Sequence, residues 1–124
     1  MLIELIIVIT ILVILAAFAI PRFASLEAET RMSATRALES ALRSKAALAH
    51  ALWLAQGSPA VIKMGDRSIA IEAGYPSLSS IEDTLDDPSG FSYERATGVF
   101  ANTDATGACS VTYSEALPNG VPGF

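Results

Sequence analysis

The sequence predicts an α+β fold in which one very long N-terminal α-helix, apolar in its first half and amphipathic in its second, packs on a small antiparallel β-sheet. Three observations predict it. Residues 2 to 20 hold a single charged side chain, Glu4. Apolar residues recur at i, i+3, i+4 and i+7 spacing between Leu38 and Leu52. Beyond Gly57 the chain breaks into short alternating segments separated by Gly-, Pro- and Asp-containing turns.

A chain of 124 residues has room for one domain of ordinary size plus an extension. Its residues are 52% hydrophobic, and the excess sits in the first 20. Residues 1 to 50 carry five Lys/Arg and four Asp/Glu, whereas residues 51 to 124 carry three and nine, a net charge of −6. The front therefore reads as a membrane-type segment and the back as an acidic module. An acidic module repels phosphate backbones, so no direct nucleic-acid contact is expected. The single cysteine, Cys109, has no intrachain disulfide partner, and compartment cannot be read from it.

Residues 1 to 21 form the first segment. Leu5 to Ile20 are 16 uninterrupted uncharged residues, and counting back to Met1 gives the ~20 that a spanning helix requires. A secretory signal would need a basic stretch before its apolar core and a small-residue cleavage site after it; here Glu4 comes first and Pro21-Arg22 follows. The expectation is a retained transmembrane helix. Pro21 removes one backbone hydrogen bond and crowds the preceding turn, which predicts a kink or local break.

Residues 22 to 55 continue the helix. Leu38, Ala41, Leu42, Lys45, Leu48, Ala49 and Leu52 share one face, with Leu38, Leu42, Leu48, Leu52 and Trp53 the expected helix–sheet packing residues. Glu27 precedes Arg31 by four positions and Glu39 precedes Arg43 by four, the favourable order on an exposed face. "AQGSPA", 55 to 60, supplies a glycine cap and a following proline, so the helix ends near Ala55, on the order of 80 Å from its start at ~1.5 Å per residue.

Residues 56 to 124 form the globular head. "AVIKM" and "SIAIEAG" flank "GDR", which reads as a three-residue hairpin loop. "GYPSLSSIEDTLDDPSG", 74 to 90, reads as a long loop with a helical turn around Ser80 to Leu85. "FSYERATGVFA" predicts a second hairpin turning at Ala96-Thr97-Gly98, "ACSVTYSEA" another strand, and "LPNGVPGF" an irregular tail.

No Ser/His/Asp set, phosphate loop or nucleotide motif is present, so no catalytic residue, cofactor or metal ligand is assigned, and no enzymatic activity is expected. His50 lacks a second His or Cys at ligand spacing. Cys109 reads as a small buried hydrophobe. Glu82, Asp83, Asp86 and Asp87 lack the alternating spacing of a calcium loop and read as a solvated acidic stretch.

The opening "LIELIIVITILVILAAFAIPRF" resembles the N-terminal region of type IV pilins and the related pseudopilins, whose mature chains begin with a Phe-Thr-Leu-Ile-Glu-Leu motif followed by a hydrophobic run and a helix-breaking proline. "GDRSIAIEAGYP" and "ACSVTYSEA" are similar to the globular part of major pilins of mannose-sensitive haemagglutinin pili. Glu4 and Pro21 match the family's acid and proline. Met1 stands where the family has its second residue, leaving open whether one residue precedes it in the mature chain. Val13 stands where the family often has glycine, which would confine any melted stretch to the vicinity of Pro21.

The resemblance implies a type IV pilin-like fold and a structural subunit of a pilus filament, anchored in the bacterial inner membrane before assembly and part of a surface filament afterwards. It implies a homopolymer held through Met1, Glu4, Leu5, Ile14 and Pro21. The implied partners are a prepilin peptidase and methylase, an inner-membrane assembly platform with its ATPase, and an outer-membrane secretin. The filament would serve adhesion, surface attachment or motility. The alternative within the resemblance is a pseudopilin of a type II secretion system.

Physical chemistry gives Glu4 a matching part. A charged acid at the centre of a membrane helix costs roughly 2.5–3.5 kcal/mol, and less near the headgroups. Inside a helix bundle the carboxylate needs a cation or a proton. The amine of a neighbouring N-terminus would supply the cation and set subunit register, since any other offset leaves both charges unpaired.

Overall fold

The computed structural model describes residues 1–103 and 109–124. Its element order confirms the α+β class. Helix α1, Leu2–Ala55, precedes strands β1 (Val61–Met64), β2 (Arg67–Glu72) and β3 (Tyr75–Pro76). A 3₁₀ turn, Ile81–Thr84, then leads to β4 (Phe91–Glu94), β5 (Val99–Asn102) and β6 (Ser110–Thr112). The strands form two antiparallel three-stranded sheets, ordered β1-β2-β3 and β4-β5-β6, where the sequence suggested a single sheet. Two compact units result, Met1–Ser33 and Ala34–Phe124. The division falls within α1, whereas the boundaries at residues 21 and 55 follow composition.

Helix α1 runs through Pro21 as one 54-residue element, so the proline does not end it. Proline deletes one hydrogen bond, and the flanking turns carry the backbone past it. At the other end the cap is as expected. The Ser58 N–H donates to the Trp53 carbonyl at 2.8 Å and the Gly57 N–H to Leu54 at 3.4 Å, the two bonds of a Schellman motif.

In the Ala34–Phe124 unit, the face that α1 buries is Leu38, Leu42, Ala46 and Ala49. Leu38 and Leu42 pack with Ile81, Leu85, Phe100, Val111 and Tyr113, largely on the second sheet. Ala49 packs with Ile62 and Ile69 of the first, flanked by half-buried Leu52 and Trp53. Leu48 is a correction: it is 47% exposed and lies outside both clusters. The buried stripe therefore runs through Ala46 and Ala49 rather than Leu48. Lys45, the lone polar member of the predicted face, is half-buried and reaches out to Asp86 at 2.9 Å.

The first hairpin turns in two residues, since Met64 pairs with Arg67. Gly65, at φ 61°, occupies the first loop position, where a two-residue turn of the II′ kind needs positive φ. The alternation places Ile62 opposite Ile69, both fully buried. Strand β3 lies within the expected 74–90 loop, with Tyr75 opposite Glu72. The second hairpin loop is Arg95 to Gly98, one residue longer than predicted, because Glu94 pairs with Val99. At Gly98, φ 74°, an added Cβ would stand 2.1 Å from the Tyr113 carbonyl oxygen, so both space and conformation require glycine. The last predicted strand shortens to Ser110–Thr112; its first residue, Ala108, lies outside the described residues. Cys109 precedes that strand and is half-buried, its carbonyl accepting the Asn102 N–H at 3.2 Å.

Candidate functional site

The Met1–Ser33 unit presents the chemistry the sequence singled out. Its most apolar 18-residue window has a mean hydropathy of 3.1 and no buried residue. Leu2, Ile3, Leu5, Ile14, Phe18 and Ile20 are all exposed, and the exposed positions run around the whole helix. One-sided exposure would mark a groove or a packing face; exposure all round calls for a surrounding apolar medium, either lipid or other helices. By length and composition the helix can cross a membrane, and it is compatible with membrane anchoring. Thr10, the only hydroxyl in the run, donates to the Ile6 carbonyl at 2.7 Å and so brings no unpaired hydrogen into that medium.

Glu4 lies in the first turn of α1. There the free backbone N–H groups and the positive end of the helix dipole favour an anion. Met1 precedes the helix, its carbonyl accepting the Leu5 N–H at 3.5 Å. Leu5 and Ile14 are part of the exposed surface and Pro21 is exposed at its end. Beyond it the helix turns polar, with Arg31 bonded to Glu27 at 2.8 Å. The five residues expected in assembly thus share one unit.

The remaining candidates are absorbed by the head. His50 is stacked on Tyr75, with ring centroids 4.4 Å apart, and its Nδ1 lies 2.7 Å from the Gly74 carbonyl oxygen. Trp53 lies beside the same imidazole at 5.5 Å. In the acidic stretch, Lys45 holds the Asp86 carboxyl below its ordinary range, chiefly by hydrogen bonding. The Ser89 N–H does the same to Asp87, and Glu82 meets Arg95 at 3.4 Å. Among the described residues no group of three or more His, Cys, Asp or Glu side chains is placed to hold a metal ion.

Sequence reading missed the polar ties that join the two sheets. The Tyr113 hydroxyl donates to the Pro76 carbonyl at 2.6 Å and the Tyr93 hydroxyl to the Leu78 carbonyl at 2.5 Å. Glu115 accepts the Leu78 N–H at 2.5 Å, and a proton shared with Glu115 raises the pKa of Glu72. Arg67 caps the 3₁₀ turn by donating to the Asp83 and Leu85 carbonyls. No local motif announces such long-range pairs. A scan against protein families, a search of curated proteins and a search of solved structures each found no match.

Proposed function

We propose that this chain is a structural subunit of a type IV pilus filament, without catalytic activity. The observation that carries the reading is the exposed, all-round apolar helix with one acid, Glu4, in its first turn, continuous in sequence with an amphipathic half held by a small acidic head. Before assembly the helix resides in the bacterial inner membrane with Glu4 near the headgroups. After assembly it joins a bundle of identical helices, and Glu4 pairs with the N-terminal amine of an adjacent copy.

This reading assigns the chain the partners of that pathway: a prepilin peptidase and methylase, an assembly platform with its ATPase, and an outer-membrane secretin. It gives the filament a role in attachment or motility. The test is electron microscopy of filaments sheared from the producing cells, with mass spectrometry of their subunit. The expected result is this chain as the bulk component; its absence from every filament, with the protein retained in the membrane, overturns the reading.

A further inference from the structure

Among the described residues, three non-glycine positions have positive φ: Ser58 at 63°, Ala73 at 51° and Asn119 at 64°. All three line one cavity of about 580 Å³, although they come from the helix exit, the β2–β3 turn and the C-terminal tail. Left-handed backbone in such residues persists only where its surroundings hold it, and it gathers where ligands or partners bind. Trp53, Pro59, Ile71 and Pro118 supply the apolar part of the wall, and among the described residues no charged one lines it.

An exposed apolar turn forms one rim of this recess. The Gly120 N–H donates to the Leu117 carbonyl at 2.8 Å, with Pro118 and left-handed Asn119 between them, the pattern of a type II turn. Leu117 and Val121, at either side of that turn, are 76% and 75% exposed. Leu54 and Val61, next in sequence to the lining residues Trp53 and Ala60, are exposed as well. Residues 116 to 124 contain no charged side chain, in a region that otherwise carries nine acids against three bases.

We propose that this patch is a contact between the heads of two copies of the chain. The Leu117–Val121 turn of one copy enters the uncharged cavity walled by Trp53 and Ile71 of the other. Two acidic heads repel wherever their carboxylates face each other, so they approach at least cost through a surface free of charge. A basic partner would gain more on the acidic 82–87 stretch. The chain also carries both halves of the fit, an exposed apolar turn and the recess it borders, as a self-complementary contact requires. The contact involves the head alone and does not depend on the N-terminal helix polymerising.

The test uses the full chain in detergent micelles, as a mixture of unlabelled and ¹⁵N-labelled copies, with p-benzoylphenylalanine in place of Leu117. Irradiation is expected to give mixed-isotope dimers whose cross-linked peptide contains Trp53 or Ile71. In parallel, Leu117→Asp, a change at an exposed position, is expected to weaken self-association measured by sedimentation at least about tenfold, with near-ultraviolet circular dichroism unchanged. Cross-links confined to one isotope, to detergent or to residues 1–33, or a Leu117→Asp variant that associates like the parent, overturn the proposal.

Discussion

The buried hydroxyl of Tyr113, just past the last strand of the second sheet, donates to the carbonyl of Pro76, the last residue of the first, at 2.6 Å. Burial pushes the Tyr113 phenol well above its ordinary 10.0, and that of Tyr93, bonded to Leu78, up to about 12. Tyr113→Phe leaves the Pro76 carbonyl unpaired and is expected to cost about 1–3 kcal/mol in denaturant unfolding of the full chain in detergent. Both phenols favour the neutral form in the fold. Their stabilisation is therefore present below pH 10 and falls as pH rises toward about 12, a decline that the Tyr93→Phe, Tyr113→Phe double variant should lack.

Leu42 and Leu48 occupy the same half of α1 with opposite surroundings, one fully buried and the other 47% exposed. Leu42→Ala should cost about 2–5 kcal/mol, whereas Leu48→Ala should change stability by no more than about 0.5. Equal losses would mean that the buried stripe is the one the heptad spacing alone suggested.

These two leucines show what was legible in the sequence. The spacing of apolar residues identified the amphipathic half and its approximate face, but not that Ala46 and Ala49 are buried there while Leu48 is exposed. Strand identity was readable where alternation was strong, as at Ile62 and Ile69. It was unreadable at Tyr75–Pro76, a two-residue strand inside a Ser/Asp/Pro-rich stretch. The ties that join the two sheets, from Tyr113, Tyr93 and Glu115 to residues 76–78, are long-range relations with no local signal. For the apolar half of α1, Glu4 and the uncharged run were fully visible, because exposure all round is a property of composition. The helix continues through Pro21, since one missing bond does not stop it.

The Glu72–Glu115 contact predicts an unusual pH response. Beside Glu115 the Glu72 carboxyl holds its proton more tightly, first through hydrogen bonding to that neighbour and then through its charge, so its pKa is raised above the ordinary 4.5. A raised value means stabilisation present at and below pH 4.5 and lost as pH rises through the folded pKa. Glu72→Gln should therefore raise Tm at pH 7, with the gain shrinking as pH falls below 4.5. A gain that is constant with pH would remove the shared proton from the account.

Glu4→Val replaces the only charge in the first turn of α1. Under the proposed function the variant should remain membrane-inserted and fail to form filaments at normal yield. Membrane fractionation and electron microscopy of the same cells check both halves, and filaments at parental yield would remove Glu4 from the assembly step.

Helix α1 contributes to two hydrophobic clusters, one around Phe100 and Tyr113 and one around Ile62 and Ile69. Each sheet has three short strands and buries its apolar face against this one helix. The stretch from Leu38 to Trp53 is therefore the common floor of two miniature cores that must form together. A disturbance under either sheet is transmitted along that floor to the other, which makes the whole head answer as one cooperative body to damage at any point along the helix.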